Sequence, residues 1–133
     1  DIAAAKPAKG IYDVKLAAGG LVDLEFTVHY LQLRDRIGLG PDLAEAIKAL
    51  VDVGRLPAEI ATAHALLTRL LVLLRLAAPG AQVPAGFAPP VEAMLARGMG
   101  AASFPQVQTQ LGLAKAAVRL AFNNLIARGG PDA

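Results

Sequence analysis

Between Leu21 and Ile37 the apolar residues recur at helical spacing, but in two stripes instead of one. At 100° per residue, Leu21, Leu24, Val28 and Leu31 fall on one side, while Val22, Phe26, Tyr30, Leu33 and Ile37 fall on roughly the opposite side. Two polar seams separate them: Glu25, His29, Gln32 and Arg36 on one, Asp23, Thr27 and Arg34 on the other. A helix with two apolar stripes needs two partners. The simplest expectation is that one stripe packs into this chain's own bundle and that Val22, Phe26, Tyr30 and Leu33 meet a neighbouring domain. Burial of both stripes within the bundle is the alternative.

Caps and breakers mark four further helices. The first helix stops at Gly38, and Gly40-Pro41 forbids its continuation. A second occupies about Pro41 to Val53, with Asp42 and Glu45 at the positive end of its dipole. A third starts at Leu56-Pro57-Ala58-Glu59 and runs to Ala78. It is apolar nearly all round, which predicts a central helix surrounded by the others. Pro79 to Pro90 has no apolar period and reads as a loop. A short fourth helix spans about Val91 to Arg97. Ser103-Phe104-Pro105-Gln106 then has the S-x-x-Q form of a capping box, and Val107, Leu111, Ala114, Val118, Phe122 and Leu125 trace the stripe of the fifth. The fold class is all-α, a bundle of about five helices.

One stretch does not fit a bundle. Val14 and Leu16 alternate with Asp13 and Lys15, the period of a half-buried strand, and the chain offers no second strand to pair with it. The expectation is an orphan strand whose sheet lies elsewhere, in a chain cut from a longer protein. That divides the sequence into a linker and strand over 1–18, a helical domain over 19–129 and a tail over 130–133.

Composition narrows the function classes. The apolar share is 55%, carried mostly by Ala and Leu, with two Tyr, four Phe and no Trp, which suits closely packed helices. Thirteen basic residues stand against eleven acidic ones, without a basic stripe to follow a phosphate backbone, so nucleic acid is not an expected partner. There is no Cys, hence no disulfide or thiolate metal site, which fits a reducing, cytoplasmic compartment. Ala61 to Ala78 is long enough to span a bilayer, but His64, Arg69 and Arg75 lie inside it, and an Arg near the bilayer centre costs about 2.5–3.5 kcal/mol. A membrane span is therefore not expected. His29 and His64, the only histidines, sit on different helices and predict no metal site.

The run Asp13-Val14-Lys15-Leu16, followed by Gly19-Gly20-Leu21-Val22-Asp23-Leu24-Glu25-Phe26, resembles the K-x-G-x-G-G-I-x-D-I-E-F signature of the bacterial glutamine synthetase adenylyltransferases. These bifunctional enzymes attach AMP to glutamine synthetase and remove it. More loosely, Glu45 to Leu50 and Gly54-Arg55-Leu56 resemble the family's second helix and the turn after it. The chain departs from the pattern at Ala17-Ala18, where the family has an earlier glycine. It departs again at Val72-Leu73-Leu74-Arg75-Leu76, where many members carry V-E-H-R-L.

The resemblance implies a helical domain that follows a polymerase-β-type nucleotidyltransferase domain, which would also own the sheet for the orphan strand. It implies a parent enzyme using ATP and Mg, with glutamine synthetase and the PII signalling protein as partners. The G-S and D-x-D motifs that hold the metal ions are not in this chain, so alone it is expected to be inactive. The resemblance places Lys15, Gly19 and Gly20 beside the nucleotide, where a glycine turn and the first N–H groups of a helix can hold phosphate. Asp23 or Glu25 would lie near the joint, able to order a metal-bound water, pair with a cation or accept a proton. About 160° apart on the helix, they would serve different tasks. Plain structural roles compete with this, Asp23 on the helix dipole and Glu25 paired with His29. The alternative functions are a free-standing all-α interaction module and the helical domain of a PII uridylyltransferase.

Overall fold

The computed structural model describes residues 10–77 and 86–128. Five helices appear among them, α1 (Leu21–Asp35), α2 (Leu43–Asp52), α3 (Glu59–Ala77), α4 (Pro89–Gly98) and α5 (Phe104–Arg128), and the described residues contain no strand. The all-α expectation holds. The ends of the chain and most of the Pro79–Pro90 segment, with the readings placed on them, lie outside the described residues.

Local chemistry sets the helix limits. α1 ends two residues earlier than its apolar period suggests, because Arg36 turns left-handed at φ 54°. Buried Gln32 donates to the carbonyls of Gly38 and Gly40 and so gathers the loop to α2. Asp42 caps α2 by accepting from the Glu45 N–H at 3.0 Å, which moves its start from Pro41 to Leu43. α4 begins at Pro89-Pro90, where missing N–H groups cost nothing. At the start of α5, Ser103 Oγ accepts from the Gln106 N–H and Gln106 Oε1 from the Ala102 N–H, so the expected capping box forms with its return bond one residue early.

The core lies between α1, α3 and α5. α1 buries Leu21, Leu24, Val28 and Leu31, and α3 buries Ile60, Ala63, Leu67, Leu70 and Leu74. α5 buries Val107, Leu111, Ala114, Val118 and Leu125. α3 touches all four other helices, as its composition led us to expect, but it is not surrounded. Ala61, Ala65, Thr68, Val72 and Leu76 form one exposed face. By length and composition α3 could cross a membrane. Its opposite stripe is packed into this core.

The orphan strand does not form. Residues 11–17 are a chain of turns, with the Ala17 N–H on the Asp13 carbonyl at 2.8 Å and the Leu16 N–H on Asp13 Oδ1 at 3.2 Å. Asp13 and Val14 are both buried, where a strand would put them on opposite faces. Tyr12 anchors the segment: its ring meets Phe87 edge-on at 5.0 Å and Phe104 at 6.2 Å, and its hydroxyl accepts from Gln108 Nε2 at 3.1 Å. The sequence offers this stretch apolar residues at the right spacing for a strand, and two rings from distant parts of the chain recruit it into the bundle through Tyr12 instead.

His64, half-buried on α3, has its pKa lowered from 6.5 chiefly by burial, with the Asp42 and Glu25 carboxylates pulling the other way. Below pH 6.5 the unfolded chain therefore binds more protons than the folded one, and this contribution to stability is lost as pH falls through and below that value. Thermal unfolding followed from pH 7.5 to 5.5 should show Tm falling, and His64→Gln should flatten that slope. An unchanged slope in the variant would remove His64 as its source.

Candidate interdomain face and its anchor

The glycine pair fixes where α1 starts. Gly19 has φ +78°, and a β-carbon on it would lie 2.1 Å from the backbone oxygen of Lys115 on α5. A β-carbon on Gly20 would lie 2.5 Å from the Val14 carbonyl. Both positions exclude any other residue, one by conformation and close approach, the other by crowding. The Leu21 and Val22 N–H groups donate to the Val14 and Lys15 carbonyls at 2.8 and 2.9 Å. The helix start that the resemblance offers to a phosphate is thus occupied by the chain's own carbonyls, and the Lys15 side chain stands out in solvent. Lys115 Nζ donates to the Ile11 carbonyl and completes the strap from α5 to this segment. Partial burial lowers the Lys115 pKa, against the pull of Asp13.

Asp23 locks the same corner. Its Oδ2 accepts from the Gly19 N–H at 2.7 Å and from Arg119 Nη1 at 3.1 Å, joining turn, α1 and α5 through one carboxylate. Glu25 lies elsewhere, exposed on α1 and close enough to His64 to bias its titration. His29 Nδ1 donates to Gln32 Oε1 at 2.8 Å, one turn from Glu25.

Beyond this anchor the second stripe of α1 is only partly covered. Val22 and Tyr30 are half-buried, Phe26 is 38% exposed and Leu33 76% exposed. α5 adds Phe122, whose ring is 5.7 Å from that of Phe26, and Ile126, 54% exposed. Arg119 lies over the Phe122 ring at 4.9 Å, and Arg34 over the Tyr30 ring at 5.8 Å. The result is a strip of aromatic and aliphatic side chains along the α1/α5 seam. Sequence reasoning found the α1 half. It assigned Phe122 to the core and missed Arg119 and Ile126, although Arg119, Phe122 and Ile126 share a helix face by spacing alone.

No group of three or more His, Asp or Glu that could hold a metal ion occurs among the described residues.

Comparison with known proteins adds a separate observation. The chain is similar to part of the bifunctional glutamine synthetase adenylyltransferase/adenylyl-removing enzyme of Caulobacter vibrioides. Identity is 34% over 132 residues, covering 91% of this chain and 13% of that protein. The chain thus spans only a small part of its relative's length. No family model matches it, and no solved structure does.

Gly19→Ala should destabilise the fold by about 2–3 kcal/mol, since it adds left-handed strain to a backbone collision. Gly112→Ala, in the open on α5, should be neutral or stabilising by up to about 1 kcal/mol. Urea midpoints decide: equal effects would show that Gly19 does not hold α1 against α5.

Proposed function

We propose that this chain is the helical domain of a glutamine synthetase adenylyltransferase. In this reading it packs its α1/α5 strip against a polymerase-β-type nucleotidyltransferase domain of the same protein. That domain transfers AMP from ATP to glutamine synthetase, or removes it, in nitrogen regulation. The observation that carries the reading is the strip of exposed Phe26 and Leu33 on α1, which opens within the family-like Gly19 to Phe26 run, continued on α5 by half-buried Phe122 and exposed Ile126. The 34% identity to the Caulobacter enzyme over nearly the whole chain supports it.

The division of labour follows. ATP and Mg belong to the nucleotidyltransferase domain, and this bundle orients that domain and excludes water from the joint. Asp23, committed to Gly19 and Arg119, is a structural anchor of the joint. Glu25 remains exposed and free to face the other domain. The docked Tyr12 segment favours a second reading, a self-contained module whose strip recruits a separate protein.

The gene upstream of Asp1 should encode G-S and D-x-D motifs; their absence favours the second reading. Hydroxyl-radical footprinting of that longer protein tests the docking. Leu33 and Ile126 should label less than Leu39 and Val53, which are similarly exposed in this bundle at 60% and 51%. Labelling of Leu33 at or above Leu39 would contradict the proposal.

A further inference from the structure

The strip ends at a small groove between α1, the loop that joins α2 to α3, and α5. Its walls include Thr27, Leu31, Pro57 and Ala121, and its polar rim carries Arg34, Arg55 and Asn124. One carboxylate serves both guanidinium groups: Asp35 lies 2.9 Å from Arg34 Nε and 3.2 Å from Arg55 Nε. Against these two cations stand Asp35 and the roughly half negative charge at the C-terminal end of α1, so the corner stays positive.

The two arginines are preorganised as well as undercompensated. Arg34 spends Nε and Nη2 on Asp35 and rests on the Tyr30 ring, which fixes its plane. Its side chain remains 43% exposed and that of Arg55 49% exposed, with N–H donors left over on both. Leu33, the most exposed apolar residue of the strip, directly precedes Arg34 in the chain. A surface that covers Leu33 also strips water from Arg34. A purely apolar partner would leave those donors unsatisfied, at a cost that exceeds the gain from burying one leucine.

We infer that the partner surface seated on the α1/α5 strip carries an acidic side chain that enters this groove and pairs with Arg34 and Arg55. This rests on the docking reading above and adds the chemistry of the docked surface: an apolar ridge ending in a carboxylate. Planar guanidinium groups suit a carboxylate in two-pronged contact, and Asn124 offers an amide at the same rim.

Footprinting of the longer protein separates this inference from the docking it rests on. In the unaltered protein Leu33 should be protected at low salt. Raising NaCl to about 0.5 M should weaken the ion pairs and increase Leu33 labelling several-fold. Arg34→Gln with Arg55→Gln should raise Leu33 labelling comparably at low salt, and the corresponding pair of Lys variants should restore much of the protection. Fully buried Leu24 and Leu50 must stay unlabelled, which shows that the bundle is intact. If the Gln variants misfold, the salt arm on the unaltered protein decides alone. Protection of Leu33 that persists in high salt and in folded Gln variants overturns the acidic contact and leaves docking standing. Absence of protection in the unaltered protein at low salt overturns both.

Discussion

Gly19 presses against the backbone of Lys115, and most of the architecture follows from that approach. With no β-carbon at this point, the turn before α1 settles onto α5, and the first N–H groups of α1 are closed by Val14 and Lys15. Asp23 then reaches back to the Gly19 N–H and across to Arg119. A charge-assisted contact of this sort contributes a kcal/mol or two, modest beside the burial of Leu24, Val28 and Val118, but it sets the register in which those side chains meet. Hydrophobic burial drives the bundle together, and the glycine corner decides which face of α1 turns inward.

Fixing one face inward leaves the other outward. Leu21, Leu24, Val28 and Leu31 are buried, so Phe26 and Leu33 must stand toward solvent, and Phe122 and Ile126 extend their strip onto α5. In the proposed reading this apolar strip is the surface that the neighbouring domain covers. Its arginines are held by carboxylates at both ends, Arg119 on Asp23 and Arg34 on Asp35. Side chains fixed in this way lose little freedom when a partner arrives, so the strip is ready to receive one.

The helices were legible because each carries its own punctuation: Gly38 after α1, Asp42 before α2, Ser103 and Gln106 before α5. The two stripes of α1 were legible too, since helical period alone separates Leu24 from Phe26. The Tyr12–Leu16 segment misled for a physical reason. Alternation over five residues describes a strand only if nothing else claims the side chains, and Phe87 and Phe104, more than 70 residues away, claim Tyr12. The glycine pair was legible in part. Its need for close approach was visible, but that α5 is a group approaching it was not, since no local pattern names a partner nearly 100 residues away. The positive corner of Arg34 and Arg55 was hidden because the two lie 21 positions apart and look like isolated cations until the loop after α2 brings them to Asp35.

Amide hydrogen exchange at Leu21 and Val22 tests most directly whether α1 is fastened to its own bundle at this corner. Their N–H groups bond to Val14 and Lys15, so they should exchange as slowly as amides in the middle of α1. Exchange at the unprotected rate, typical of a helix start preceded by loose chain, would contradict the account.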